Sequence, residues 1–490
     1  MQTISKDTIY SAVRDAIPRL ACELPQDVAD ALRAARDDER SPFASCVLDQ
    51  LVANERIAHV DHVPICQDTG TVWVCLEIGS DVSIAGDVFS RVDEAVAQAY
   101  EAAHLRMSVV CDALLDRANT QTNTPAFTEI KMVDEPGVAR LHIMLKGGGS
   151  DNASRVTMLV PGAGWPGIIA EVLDCVRVKG ANACPPLIIG IGIGATFDKV
   201  AGLAKHALMR PVGEPSPDEE IAEIERGLLE LVNASGVGAG GLGGAHTALA
   251  VHIETAPCHI AALPLAINMG CSALRRCTID LLAKEAAPVD ESDDDEMDVV
   301  DASIASIEAM ELPELEGRRI ELPVSREELA TLEAGDVCLL TGDIYTLRDA
   351  GHMRLLAELE EWERLPYGLS GQVIFYAGPT PEACGRPFGA IGPTTAGRMD
   401  FATPALLRAG VVATIGKGKR SEAVRAACIE TGSVYFAAVG GAAAFLAKCV
   451  DSSETLGYDD LGTEALRRIH VTDFPVFVAL DTRGNDIYSV

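Results

Sequence analysis

Between Asp290 and Asp301 the chain reads DESDDDEMDVVD, eight acids with no base to pair them. A block of this kind repels itself and offers too little apolar surface to offset the entropy of ordering it. It cannot lie inside a core, and it sits mid-chain rather than at an end, where binding tails sit. Residues 287–317 are therefore expected to be a solvated linker, with 1–286 and 318–490 folding as separate units. A length of 490 residues is compatible with that division.

Both flanks carry enough pattern to fold. DVFSRVDEAVAQAYEAAHLRMSVV sets Val88, Val92, Ala95, Val96 and Ala99 at helical spacing. FTEIKMVDEPGVARLHIMLKGGGS predicts two strands around an Asp-Glu-Pro-Gly turn, ending in a glycine loop. GWPGIIAEVLDCVRVKGANAC predicts a helix running into a loop that ends on Cys184. PPLIIGIGIG then reads as a buried strand and ATFDKVAGLAKHALM as a helix. After residue 318 the chain is strand-rich at first, and then short apolar strands (QVIFYAG, VVATIG, VYFAAVGG) alternate with helical stretches. The expected class is α/β with two domains.

Composition excludes several functions. The net charge is −32, which argues against wrapping nucleic acid or an anionic membrane, since phosphate contacts need basic surface. No apolar run approaches the ~20 residues that span a bilayer, and residues 1–20 lack a secretory apolar core. A cytoplasmic protein is expected. Among 14 cysteines there is no CxxC, so zinc ribbons and ferredoxin-type runs are absent. Any thiolate ligand set must be assembled from distant loops.

Several loops carry chemistry. GIGIGA (190–195) fits the G-x-G-x-x-A pattern of dinucleotide sites, although no acid closes a second strand about 20 residues later. KGGGSDNAS can present consecutive backbone N–H groups to an anion, or simply end a strand. IGPTTAGRMD sets Thr394 and Thr395 beside Arg398, a pairing suited to a carboxylate. LRDAGHMR supplies Arg348, Asp349 and His352, either for binding or as a solvated helix start. IGKGKRS places Lys417 between glycines. Cys66 in PICQDTGT, Cys184 in GANACPP and Cys271 in INMGCSALRR all occupy loops flanked by proline or glycine. Three thiolates from separate loops suffice to hold an iron–sulfur cluster with one iron left open to substrate oxygen.

PICQDTGT, LRMSVV, NTQTNTPA, KGGGSDNAS, ACPPLIIGIGIGATFDK and INMGCSALRR, followed by TGDIYTLRDAGH, YAGPTP, GAIGPTTAGRMD and IGKGKRS, resemble the class I fumarate hydratases in kind and order. The likeness covers nearly all of the chain except the acidic linker, which lies where a fusion of the family's two-subunit forms would join. It implies an N-terminal cluster-binding domain and a C-terminal, swivel-like, substrate-clamping domain. The implied activity is reversible hydration of fumarate to (S)-malate by a 4Fe-4S hydro-lyase. Cys66, Cys184 and Cys271 would be the ligands. Gln67, Gly149, Arg348, Arg398 and Lys417 would hold the dicarboxylate, and Arg106 would reach in from the other protomer of a homodimer. Thr394 would take the C3 proton with help from Asp68, and His259 would lie near the cluster. L-Tartrate dehydratases and methylfumarate (mesaconate) hydratases share these motifs, since a methyl or hydroxyl is discriminated by pocket shape. A nicotinamide-dependent oxidoreductase using GIGIGA is the alternative from a different class.

Overall fold

The computed structural model describes residues 3–283 and 315–488. The expected linker lies outside them, except for residues 315–317, which run as coil into a strand. Before residue 284 the strands are β1 (Thr3–Ile4), β2 (Thr71–Gly79), β3 (Ser83–Ile84), β4 (Phe127–Val133), β5 (Ala139–Lys146), β6 (Arg155–Leu159), β7 (Leu187–Ala195), β8 (Ala248–Cys258), β9 (Leu263–Gly270) and β10 (Arg275–Asp280). After residue 314 come β11 (Arg318–Glu321), β12 (Val337–Thr346), β13 (Val373–Phe375), β14 (Ala413–Gly416), β15 (Val434–Ala437), β16 (Val450–Gly457) and β17 (Leu466–Leu480). Helices pack between and over these strands, so the architecture is mixed α/β.

Among the described residues no strand pairs across the division. The first group forms sheets ordered β10-β5-β2-β4 and β6-β9-β7-β8, and the second a seven-stranded sheet ordered β11-β12-β13-β14-β15-β17-β16. The long β17 also runs antiparallel to β12, so β12 to β15 and β17 curl into a closed ring that leaves few edges. The apolar core is less divided than the sheets. Val47, Leu48 and Leu51 on the helix Pro42–Asp61 belong to one buried cluster with Ile391, Ala442 and Phe445.

β2 shows why the N-terminal strands read as they do. Val72, Val74, Leu76 and Ile78 enter one core under the helices Lys6–Cys22 and Val92–Ala102, while Trp73 and Cys75 enter another. A strand buried on both faces is apolar along its length and takes a central position. β4 and β5, expected around one turn, are accordingly not neighbours: β2 lies between them, parallel to β4 and antiparallel to β5.

The dinucleotide reading of GIGIGA is corrected. Gly190 and Gly192 lie inside β7, where a Cβ would run into the carbonyl oxygens of Ala204 and Val200 on the helix Phe197–Ala207. The glycines let that helix lie directly on the strand, and no open loop remains for a pyrophosphate.

Candidate active site

The loop 63–70 follows the helix Pro42–Asp61, whose cap His62 is left-handed, and delivers Cys66, Gln67 and Asp68 just before β2. Asn54 on that helix clamps the loop to the other half of the chain. Its amide donates to the Ile65 carbonyl (3.0 Å) and the Gly441 carbonyl (2.9 Å), and its oxygen accepts from Phe445 N–H (3.0 Å). The last contact satisfies a free donor in the first turn of the helix Ala443–Lys448.

Cys184 caps a 3₁₀ turn with φ of 58°, a left-handed conformation that a non-glycine residue adopts only under constraint from its surroundings. Its carbonyl accepts from Ser272 N–H at 3.0 Å, which places Cys271 beside it. The charges of Cys184 and Cys271 both act on Cys66, so the three sulfurs share one pocket. Burial pushes the Cys66 thiol up to about 11. From the other half of the chain, Lys417 Nζ donates to Cys184 Sγ at 2.6 Å. Burial opposes the charge on Lys417, but Cys184, Cys66 and Cys271 outweigh it and raise its pKa. Gly440 is required here, because a Cβ would stand 2.5 Å from Cys184 Sγ.

Asp68 lies at the centre of a crowd of cations. Arg106 Nη2 is 3.1 Å from Oδ1, and Gly148 N–H donates to Oδ2 at 2.9 Å. Burial opposes its ionisation, but Arg106, Arg275, the Gly148 N–H and Arg348 together hold the carboxyl below the usual range. The glycine loop thus presents a backbone donor to an anion, and that anion is the chain's own Asp68. Gly149 lies beside Lys417, whose Nζ would be 3.4 Å from an added Cβ.

Arg348 caps the start of the helix Asp349–Trp362 and is half-buried, with its side chain 14% exposed; it pairs with Glu464 at 2.9 Å and is disfavoured as a cation by burial and then by nearby Arg106. Arg106 donates to the Gly378 carbonyl at 2.9 Å, and Arg348 packs against the same glycine, so the YAGPTP turn separates two guanidinium groups. Arg398 is more exposed and forms a bidentate pair with Asp349. Thr394 is buried in a loop whose backbone pairs with Lys417: Lys417 N–H donates to the Thr394 carbonyl at 3.2 Å. Gln67 is held against Gly392, where a Cβ would collide with its side-chain oxygen. His352 is fully buried edge-on to Tyr376, and burial pushes it down to about 4, so it is a packing residue.

Two expectations are corrected. Arg106 lies four residues beyond the helix Val92–Ala102 and meets Asp68 of its own chain, so it is supplied in cis. His259 is not near the cysteines. Cys184 and Cys271 flank the Leu187 end of β7, whereas His259 follows β8 at the opposite end and is exposed. The strand length between the two ends is roughly 23 Å.

The sequence reading missed Arg275 and Lys146. Arg275 is 1% exposed; its Nη2 donates to the Asp68 carbonyl at 2.8 Å, while Nε and Nη1 have no hydrogen-bond partner among the described residues. Its charge is the strongest influence favouring a thiolate at Cys66. Lys146, 2% exposed at the end of β5, donates to Ser150 Oγ at 3.0 Å and to the Met269 carbonyl. Both were visible as basic residues in KGGGSDNAS and CSALRR, but nothing in the spacing said that they point inward.

Three converging sulfurs, a ring of cations and unpartnered guanidinium N–H groups form a donor set suited to a thiolate-held cluster with an anionic ligand beside it. Residues 10–280 match the family profile described as fumarate hydratase (fumerase), and residues 291–490 match the profile described as fumarase C-terminus. The chain is 30% identical over 511 residues to the anaerobic class I fumarate hydratase of Escherichia coli, covering 98% of this chain and 91% of that protein. It is also 30% identical over 473 residues to the mitochondrial fumarate hydratase 1 of Leishmania major, covering 94% and 85%. A Methanocaldococcus jannaschii protein provisionally named L(+)-tartrate dehydratase subunit alpha is 40% identical over 277 residues, 55% of this chain and 95% of the relative. Taken with the geometry, these matches over both halves place the chain in the class I fumarate hydratase family.

Proposed function

We propose that this hydro-lyase catalyses the reversible hydration of fumarate to (S)-malate in the cleft where its two halves meet. The observation that carries the reading is Lys417, which comes from the second half and donates to Cys184 of the first inside a pocket crowded with arginines. Cys66, Cys184 and Cys271 would hold a 4Fe-4S cluster, which when bound supplies an open iron as a Lewis acid for the substrate's oxygen. The remaining work falls to side chains and backbone. Arg348, Arg398 and Lys417 bind and orient the two carboxylates, Gln67 and Gly149 contact the substrate, and Arg106 completes the cation ring from the same chain. In the dehydration direction the C3–H bond breaks and Thr394 receives the proton, with ionised Asp68 as the neighbouring acceptor. The electron pair passes into an aci-carboxylate that the cations stabilise, and hydroxide then leaves C2 as the double bond forms.

The same proposal includes division into a cluster-binding domain (1–286) and a substrate-clamping domain (318–490), supported by sheets that do not mix across it. It also includes a cytoplasmic setting, which suits fourteen cysteines without a disulfide among the described ones. A homodimer, expected from the role lent to Arg106, is no longer required by that residue. A second reading, L-tartrate dehydration, is favoured by the 40% identity over 277 residues to the M. jannaschii subunit.

The test is fumarate absorbance over time, using anaerobic protein reconstituted with iron and sulfide, before and after air. Rapid air-sensitive turnover, lost together with iron in Cys271→Ser, is expected. Turnover of L-tartrate but not fumarate would move the substrate, and full iron and activity in Cys271→Ser would overturn the ligand assignment.

A further inference from the structure

Further along β2 from the loop that carries Cys66, a second group of metal-ligand atoms converges. Cys75 on β2 pairs in register with Glu129 on β4, so both side chains project from the same face of the sheet. His206, in the last turn of the helix Phe197–Ala207, descends on them. Its Nε2 lies 3.0 Å from Glu129 Oε1 and 4.0 Å from Cys75 Sγ, and all three ligand atoms fall within 4.8 Å of one another. Trp73 stands edge-on to the His206 ring at 5.3 Å and fixes its orientation. Cys75 is fully buried, the His206 side chain is 12% exposed and that of Glu129 40%, so the group is closed at the sulfur end and open to solvent at the carboxylate.

We propose that Cys75, Glu129 and His206 form a mononuclear site for a zinc-class divalent cation, separate from the cysteines assigned to the cluster. One thiolate, one imidazole and one carboxylate make a borderline-soft donor set, and three protein ligands leave a fourth tetrahedral position for water. Zinc–ligand bonds of about 2.0–2.3 Å put neighbouring ligand atoms roughly 3.3–3.6 Å apart, and the observed spacings bracket that value. Binding exchanges the His206–Glu129 contact for two metal bonds and displaces the thiol proton of Cys75. Burial and then Glu129 otherwise keep that thiol protonated, up to about 12. Lys205 and Lys199 also act on Glu129, and Lys205 is placed over the Trp73 ring at 5.9 Å rather than on the carboxylate.

The consequence is structural. β4 is an edge strand of one sheet, and the helix bearing His206 packs on β7 and β9 of the other. A bound cation would clip the two four-stranded N-terminal sheets together.

The experiment uses cluster-loaded protein, so that the other three cysteines are occupied, dialysed anaerobically against zinc chloride. Wild type and the Cys75→Val, Glu129→Gln and His206→Gln variants are compared by metal analysis, zinc-edge absorption spectroscopy and thermal unfolding. One zinc per chain is expected, with a single sulfur at about 2.3 Å and nitrogen and oxygen at about 2.0–2.2 Å. Each variant should bind at least tenfold more weakly and lose the zinc-dependent rise in melting temperature. Equal zinc content in wild type and Cys75→Val, a sulfur-free coordination shell, or no binding by wild type would each overturn the assignment. If Cys75→Val fails to fold, Glu129→Gln decides, because its partly exposed carboxylate is not needed for packing.

Discussion

Replacing Arg275 by methionine separates a structural role from a functional one. In the folded chain this guanidinium is buried, makes one hydrogen bond, to the Asp68 carbonyl, and leaves Nε and Nη1 without protein partners. Losing a charge-assisted hydrogen bond costs about 1.5–3 kcal/mol. Removing a poorly compensated buried ion in favour of an apolar side chain is often neutral or gains about 1–4 kcal/mol. The two effects oppose, so the cluster-free protein should change in stability by less than about 2 kcal/mol in either direction. Function should respond differently. If the two free N–H groups serve an anion in the pocket, their loss resembles the removal of a preorganised donor and costs about 10²–10³-fold in turnover. Urea unfolding of the cluster-free protein, iron and sulfide content after reconstitution, and anaerobic fumarate turnover together provide the assay. A variant with full iron and turnover within about threefold of wild type would show that the free donors face nothing that matters. A loss of more than about 4 kcal/mol in the cluster-free protein would make Arg275 a packing residue instead.

Two further substitutions test the scaffold. Asn54→Ala leaves the Ile65 and Gly441 carbonyls and the Phe445 N–H without their partner, which at about 1 kcal/mol each should cost about 3 kcal/mol in urea unfolding and loosen iron retention. Lys146 is pushed down to about 8 by burial, so between pH 8 and the unfolded value near 10.5 the native chain sheds a proton that the unfolded chain keeps. Stability from this group therefore rises with pH across that window, by about 3 kcal/mol. The stability difference between wild type and Lys146→Met should shift in favour of wild type by that amount from pH 8 to 10.5, and a pH-independent difference would refute the shift.

What the sequence disclosed follows from which physical signals are local. Cys66, Cys184 and Cys271 stood out as candidates because each stands in a loop punctuated by proline or glycine, and the left-handed φ of Cys184 is the strain that such punctuation allows. The strand and helix at PPLIIGIGIG–ATFDKVAGLAKHALM were legible from period and length. The glycines misled, because a glycine that admits a helix onto a strand is written the same way as one that admits a phosphate. His259 was misplaced because strand direction is a tertiary fact: β9 returns toward Cys271 only after the turn that carries His259 away. Arg275 and Arg276 show the same limit at one-residue resolution. On β10 they must face opposite sides, and they do, Arg275 meeting the Asp68 carbonyl and Arg276 the Asp27 carboxylate. The alternation is written in the sequence, but which of the two faces the pocket is decided by packing against β5.

The pocket is assembled from contacts that cross the chain's division: Lys417 with Cys184, Arg106 with Gly378, Gly392 against Gln67, and Asn54 with Gly441. Neither half holds all of these residues, yet one buried apolar cluster runs through both. A core shared in this way is expected to hold the halves together without help from the segment that joins them. A tether raises the effective concentration of one half for the other, which matters when the interface is weak and matters little when it is a shared core. Cutting the chain at a protease site inserted between Asp294 and Asp295 should therefore leave the halves co-eluting on gel filtration, with turnover within about twofold of the intact chain at micromolar protein. The M. jannaschii relative, named as a subunit, matches over 277 residues, 55% of this chain. Separation of the two fragments on cleavage, with loss of turnover restored only at high concentration, would refute the shared-core reasoning and make the acidic segment a necessary link.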